Sequence, residues 1–484
     1  MRSSSALFAQ FAVAGRGRSL VGLLAATALS ACAILPAPTP ARVAKAPQAY
    51  AAAQSLAGPT RDWPTDAWWT VYGDAQLNGL MQEALAGSPD LAAAQARVRK
   101  AESVAAAVRS LELPTVSANG SVQELKQSYN YGIPRLFVPH GYNDYGQVIL
   151  NFNWELDFWG KNRAAVAAAV SDSRAAEADA AQARLMLSTN LAAAYADLAR
   201  LYAERDVAER ALAVQSETSQ LVHDRVANGL DTLAELRQAE ADPPQAKADI
   251  AAIDEQIALT RNLLAALAGA GPDRGLSIAR PSAAALKPLG VPSELAANLV
   301  GRRPDVTAAR WRAEAAAKRI HEARTAFYPD VNLAAFFGVQ SLFLRALTAS
   351  GSDVGAIGPA VSLPIFNGGR LKAGYRGAEA DRDEAVASYD AAVAEAFRQV
   401  ADVVASSRAL ASQIADSRAA LAASEDAFRI ARLRYQGGLS TYPSVLLAEQ
   451  GVLRRRRVVA DLDARALVLD VQLVRALGGG FHSG

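Results

Sequence analysis

Alternation of polar and apolar residues predicts four β-strands, arranged as two pairs. Residues 115–123 alternate with a period of two, and residues 151–158 do so more strongly. In the latter segment, Asn and acidic residues share one side and bulky apolar residues share the other: Phe152, Trp154, Leu156 and Phe158. Two further strands, with less clean alternation, are predicted at 331–340 and at about 354–365, where Gly and Pro residues indicate bends or bulges.

A strand with bulky apolar groups opposite polar ones fits a membrane barrel, with lipid outside and water inside. A strand of a soluble β-sandwich can show the same pattern. We predict that the four apolar residues of 151–158 face lipid. Apart from the N-terminal region, no segment is a candidate transmembrane helix. Any membrane crossing is therefore expected to use strands.

Heptad patterns predict a long coiled-coil helix after each pair of strands. Residues 164–228 contain neither Pro nor Gly, and a helix of that length spans about 95 Å. In the corresponding helix at 371–436, one heptad phase is apolar at almost every repeat: Val386, Val393, Val400, Ile414, Leu421, Phe428 and Tyr435. A Gly-containing turn and a return helix are expected after each long helix. Pro243 and Pro244 are expected to kink or break the first return helix.

The chain carries the same order of elements twice. The prolines at 304 and 329 each lie 215 residues after those at 89 and 114, and the segment Arg434…Gly438-Leu439 follows Arg225…Gly229-Leu230 by 209 residues. Duplication over this length indicates a pseudo-symmetric protein. We predict two structural repeats, at 88–280 and 281–484, each made of a helix, a β-hairpin, a long helix and a return helix.

The N-terminal region resembles a bacterial lipoprotein signal. Basic residues precede a short apolar run at 20–31, which ends in Leu-Ser-Ala-Cys. We predict a signal peptide at 1–31, lipidation of Cys32, and a lipidated tether with the start of an equatorial region at 32–87. Ala33, rather than Asp, after the cysteine indicates release to the outer membrane. The alternative is that Cys32 is a chance thiol beside an ordinary cleavage site.

Composition points away from catalysis and nucleic acid. The formal net charge is +2, and the four histidines show no metal-ligand spacing. We expect no catalytic residue, no metal and no cofactor. The basic run at 454–457 is interpreted as a solvated helix face paired with acids, because a secreted lipoprotein meets no nucleic acid.

Four strands are too few to close a membrane barrel, which needs about eight or more. Open sheet edges cannot face lipid, so the chain is expected to oligomerise. A dimer, a trimer and a tetramer all satisfy this requirement.

The chain resembles the TolC-like outer-membrane efflux proteins, in particular the lipoprotein branch typified by OprM and NodT. The resemblance covers nearly everything after Cys32. It is carried by the segments 154–160 and 364–370, together with the two turn motifs that begin at Arg225 and Arg434. It implies a mainly α-helical fold with a transmembrane β-barrel, in which a homotrimer forms 12 strands and an α-helical tunnel.

The resemblance also implies a role and its partners. Such proteins are the passive exit ducts of tripartite pumps, which export small molecules from an inner-membrane transporter, here expected to be of the RND type. A periplasmic adaptor contacts the turns between the long helices. The localisation implied is the outer membrane, with lipid around the strands and a lipid anchor. Alternatives are a duct for type I protein secretion and a coiled-coil lipoprotein that braces the envelope.

Adaptor docking is predicted at Arg225, Gly229, Leu230, Thr232, Arg434, Gly438, Leu439, Ser440 and Thr441. Both glycines could simply end a helix, and both arginines could simply neutralise carbonyl groups at helix C-termini. Asp231 is a candidate gate residue, with a helix N-cap as the alternative. Acids that relatives carry near Ser444 and Leu447 are absent here, which weakens the case for a second acidic ring.

Overall fold

A computed structural model describes residues 35–52, 54–57, 62–130, 132–282, 292 and 295–482. The predicted signal peptide and Cys32 lie outside the described residues. The chain divides into two compact units. The first comprises the described residues within 1–43, 99–174 and 310–387, and the second comprises those within 44–98, 175–309 and 388–484. Each unit therefore takes segments from both predicted repeats.

The elements follow the predicted order. The α-helices are α1 (Ala75–Gly87), α2 (Pro89–Arg109), α3 (Lys161–Ala227), α4 (Leu233–Leu267), α5 (Asp273–Leu276), α6 (Leu295–Arg302), α7 (Pro304–Thr325), α8 (Arg370–Gln436) and α9 (Tyr442–Ala476). The strands are β1 (Thr115–Leu125), β2 (Asn143–Glu155), β3 (Asp330–Ser341) and β4 (Asp353–Ser362). Short 3₁₀-helices occur at Pro47–Ala49, Trp68–Tyr72, Ser110–Glu112, Arg135–Phe137 and Leu344–Ala346.

The first unit contains one antiparallel sheet in the order β1-β2-β3-β4. Paired residues point to the same side of a sheet, so the register shows which residues share a face. One face is apolar over the central part of all four strands, where its rows are Ala118, Leu150, Phe337 and Gly355, then Val116, Phe152, Ala335 and Ile357. The opposite face carries Ser117, Asn119, Asn151 and Asn153 on the first two strands. The predicted alternation is therefore confirmed in β1 and β2.

The predicted bounds of β2 are wrong at both ends. The strand begins at Asn143, because the 11 residues of β1 pair one to one with Asn143–Asn153. It ends at Glu155, so Leu156 and Phe158 lie beyond it. The chain turns there towards α3, where Gly160 has a φ of +80° and Asp157 accepts a hydrogen bond from the backbone N–H of Arg163. Phe152 and Trp154 are on the apolar face as predicted.

The second unit is built on the helical heptads. Val393 and Val400 of α8 are buried, and Tyr435 ends the same phase fully buried. In α3, Leu191 and Leu198 are fully buried as well. The heptad prediction is thus confirmed. Helix α4 continues through Pro243 and Pro244, so the predicted break does not occur. The two prolines lack backbone N–H donors, but this removes only a few of the backbone hydrogen bonds in a helix of 35 residues.

The N-terminal segment is extended, as expected from its Pro and Ala content, but it is not a free tether. In the first unit, the backbone N–H groups of Thr39 and Arg42 donate to Glu379 (2.9 Å) and Asp383 (3.1 Å) of α8. In the second unit, the N–H of Lys45 donates to Asp390 at 2.9 Å. A stripe of carboxylates on α8 therefore holds this segment by its main chain.

Within the described ranges, no helix is both long enough and apolar enough to cross a membrane.

Candidate functional site: the two helical turns

The turns that join the long helices to their return helices have the same backbone geometry. We call residues 228–232 the first turn and residues 437–441 the second turn. Gly229 and Gly438 have φ angles of +73° and +72°, which favour glycine. The N–H of Leu230 donates to the carbonyl oxygen of Arg225 at 2.8 Å, and the N–H of Leu439 donates to that of Arg434 at 2.7 Å. These bonds define a Schellman C-cap, so both glycines do end a helix.

The leucines after the glycines are not packed against the helices. Leu230 is 63% exposed and Leu439 is 72% exposed. Further exposed leucines lie nearby in sequence on the flanking helices: Leu233, Leu433 and Leu447. An apolar side chain at this position of a Schellman motif commonly packs back on its helix. These side chains are instead available to another molecule.

A polar network joins the first turn to the end of α8. The Nε and Nη2 atoms of Arg225 donate to the two carboxylate oxygens of Asp231, at 2.9 and 3.2 Å. The Nη1 atom of Arg225 donates to the carbonyl oxygen of Tyr435 at 3.0 Å. The Tyr435 hydroxyl donates to Asp231, and the Arg225 guanidinium lies 4.5 Å from the centre of the Tyr435 ring. Three side chains from two hairpins thus form one closed network.

This geometry excludes one of the two interpretations of Asp231. The N-cap of α4 is Thr232, which forms a capping box with Glu235. The N-cap interpretation of Asp231 is therefore wrong, because the carboxylate one residue earlier is turned towards Arg225. For Arg225, the interpretation as a partner of helix C-terminal carbonyls is confirmed, although the carbonyl belongs to α8 rather than to its own helix.

Contacts within the network stabilise the charged forms of Asp231 and Arg225. Burial opposes ionisation of Asp231, but hydrogen bonds from Arg225 and Tyr435 outweigh it and hold the pKa of Asp231 below its usual value. The hydrogen bond to Asp231 raises the pKa of Arg225. Burial, and then the bond to Asp231, raise the pKa of the Tyr435 hydroxyl. At neutral pH the network therefore consists of a guanidinium, a carboxylate and a neutral phenol.

The two turns differ in these side chains although their backbones match. The residue at the position of Asp231 in the second turn is Ser440, and Arg434 is exposed. Within the described part of the chain, the buried Ser440 hydroxyl has no hydrogen-bond partner. Thr441 is the N-cap of α9 but makes no side-chain cap bond. Sequence reasoning missed Tyr435 as a site residue, since its heptad position predicted only packing.

The basic run at 454–457 is partly paired, as predicted. Arg456 donates to Glu425 at 2.7 Å, and Arg457 donates to Asp249 at 3.2 Å. Among the described residues, no group of three or more His, Cys, Asp and Glu is placed to hold a metal ion.

Comparison with known proteins places the chain in a family. Residues 80–270 and 295–479 match the outer membrane efflux protein family. The multidrug resistance outer membrane protein MdtP of Escherichia coli K12 is 32% identical over 469 residues, which cover 95% of each chain. The fusaric acid resistance protein FusA of Burkholderia cepacia is 40% identical over 316 residues, which cover 64% of this chain and 59% of FusA.

Solved structures agree with this match. The outer membrane protein VceC of Vibrio cholerae is 47% identical, with a TM-score of 0.82 over 87% of this chain and all of VceC. The outer-membrane channel OprN is 26% identical, with a TM-score of 0.81 over 92% of this chain and 98% of OprN. The protein described here belongs to the outer membrane efflux protein family and has the TolC-like fold. It is an outer-membrane channel for efflux.

Proposed function

We propose that this channel is the exit duct of a tripartite pump and that its two helical turns dock a periplasmic adaptor. The observation that carries the proposal is the pair of exposed leucines, Leu230 and Leu439, at two turns of matching backbone geometry in one compact unit. Repeated apolar side chains on rigid turns suit the apolar stripe of an adaptor helix. Gly229, Gly438 and Thr232 hold the turns. Ser440 and Thr441 belong to the proposed docking surface of the second turn, where Arg434 supplies an exposed donor.

The network of Arg225, Asp231 and Tyr435 is the proposed gate. It ties the first hairpin, α3 and α4, to the end of α8 through charge-assisted hydrogen bonds. An adaptor that displaces Arg225 from Asp231 releases this connection. The energy for opening then comes from docking, and transport through the duct is passive.

Assembly and anchoring complete the proposal. Three copies of the four-stranded sheet supply the 12 strands of a barrel, with the apolar face, including Phe152 and Trp154, towards lipid. Leu156 and Phe158 follow the strand and lie at its border. Cys32 carries the lipid anchor after removal of residues 1–31, and the repeats at 88–280 and 281–484 account for the pseudo-symmetry. An RND-type transporter of the inner membrane supplies small organic compounds, the class that the names of MdtP and FusA indicate for those proteins.

A photo-crosslinking residue at Leu439, in living cells, tests the docking proposal. The matched control is Leu259, an exposed leucine on α4 outside the turns. We expect Leu439 to trap a periplasmic adaptor and Leu259 not to trap it. Equal capture at both positions, or no capture by an intact trimer at Leu439, contradicts the proposal.

A further inference from the structure

A second polar cluster lies among α3, α4, α8 and α9, one helical turn from the apolar side chain of Val445. Glu449 of α9 is 3% exposed. Within the described part of the chain, its Oε1 atom has no hydrogen-bond partner, and the same is true of the buried Oε1 atom of Gln215 on α3. Asp242 of α4 accepts a hydrogen bond from the Tyr442 hydroxyl at 3.0 Å. Two buried acceptor oxygens thus lack a donor.

The charges around Glu449 come from each neighbouring helix. Asp242 of α4 and Arg432 of α8 both face Glu449. Arg432 also pairs with Glu217 of α3 at 3.0 Å. Burial raises the pKa of Glu449 to about 7, and the negative charge of Asp242 adds to this effect. Arg432 and Gln215 oppose it only in part.

We propose that Glu449 is a proton-sensing residue: the packing of the four long helices holds it neutral, and its ionisation weakens that packing. A proton on Oε1, the atom of Glu449 that has no hydrogen-bond partner among the described residues, removes the buried charge, while the hydrogen bond that Gln215 donates to the carboxyl group can be kept. An ionised Glu449 has only acceptors, in a buried position beside Asp242. Such a group is costly unless it is paired.

The pH range follows from the direction of the shift. The pKa of Glu449 in the packed state is above its ordinary value of 4.5, so protonation of Glu449 favours packing of the helices. The contribution of protonated Glu449 to the stability of the packed helices is complete below pH 4.5 and is lost as the pH rises through about 7. The four helices are therefore expected to be held more firmly at mildly acidic pH than at pH 8. This inference concerns packing within one chain and does not depend on adaptor docking.

Infrared titration of the full-length protein in lipid tests the proposal directly. The variants are Glu449→Gln and, as the matched control, Glu425→Gln, which removes a partly exposed carboxylate paired with Arg456. We expect a protonated-carboxyl band that titrates near pH 7 in the wild type and in the control but is missing in Glu449→Gln. Loss of the band in both variants, or its absence from the wild type at pH 6, overturns the proposal.

Two further measurements separate proton sensing from simple packing. Asp242→Asn removes the neighbouring negative charge, so the titration midpoint is expected to move to lower pH by about 1 unit. Between pH 5 and pH 8 the unfolding equilibrium constant of the wild type is expected to rise roughly tenfold or more relative to Glu449→Gln. A purely structural Glu449 predicts neither change. Since Asp242→Asn retains Glu449, it decides the question even where Glu449→Gln fails to fold.

Discussion

Arg225 and Tyr435 are 210 residues apart in sequence, yet the guanidinium of the first donates to the carbonyl oxygen of the second at 3.0 Å and stacks on its ring. Asp231 accepts hydrogen bonds from both side chains. The end of the first hairpin is therefore fastened to the end of α8 by a single network. Any change that opens this connection acts on both hairpins.

Replacing Asp231 by Asn should weaken this connection. Hydrogen bonds to charged groups contribute about 1.5–3 kcal/mol each, and the neutral amide loses the charge-assisted part. We expect Asp231→Asn to increase the uptake of large hydrophilic antibiotics by cells that carry the channel. Asp224→Asn is the matched control, because Asp224 is exposed and accepts from Gln220 of the same helix. Unchanged uptake in Asp231→Asn would leave the residue without a gating role.

The Asp231 carboxylate also predicts that the stability of the protein depends on pH in the acidic range. The pKa of Asp231 is lowered by folding from its ordinary value of 3.8, so its stabilising contribution is present above pH 3.8 and is lost as the pH falls through the lower folded value. The difference in Tm between the wild type and Asp231→Asn should therefore shrink as the pH falls from 6 to 3. A difference that stays constant over this range contradicts the assignment.

The two N-cap threonines should differ in their contribution to stability. Thr232 accepts a hydrogen bond from the N–H of Glu235 in a capping box, whereas Thr441 makes no such bond. We expect Thr232→Ala to lower the free energy of unfolding by about 1 kcal/mol. Thr441→Ala should have a clearly smaller effect. Denaturant titration of both variants measures the two values, and equal losses would show that the capping box is not the cause.

A charge at an exposed leucine should affect docking without affecting folding. Leu439→Asp places a carboxylate on a side chain that is already exposed, so Tm should stay close to that of the wild type. Adaptor binding should weaken at least about tenfold, because the carboxylate must be desolvated against an apolar partner. Leu259→Asp on α4 is the control. Binding is measured with purified adaptor. If both variants weaken it equally, this result argues against docking at the turns.

The sheet offers a matched pair of substitutions on opposite faces. Leu150 lies on the apolar face, paired with Ala118 and Phe337, whereas Asn151 points to the other side. If the apolar face meets lipid, Leu150→Lys should cost about 2–4 kcal/mol near the membrane midplane. Asn151→Lys should assemble nearly normally in the outer membrane. Fractionation and trimer stability on gels distinguish the two, and equal assembly of both variants would remove the lipid-facing assignment.

Local periodicity was sufficient to predict the elements of this protein. The alternation in 115–123, the heptads of α8 and the glycines at 229 and 438 act over a few residues, since each depends on backbone geometry and on which side is buried. These signals predicted four strands, two long helices and two turns, and the structure has all of them. Motifs similar to a known family added the function.

Tertiary structure decided what the polar side chains do. Asp231 was equally suited to an N-cap, and only the approach of α8 shows that it binds Arg225 and Tyr435. The start of β2 at Asn143 depends on the length of its partner strand β1. The N-terminal segment follows carboxylates of α8 that are about 340 residues away. In the sequence, no pattern distinguishes Glu449 from the other residues of its helix. Its environment comes from three other helices, and no local pattern contains that information.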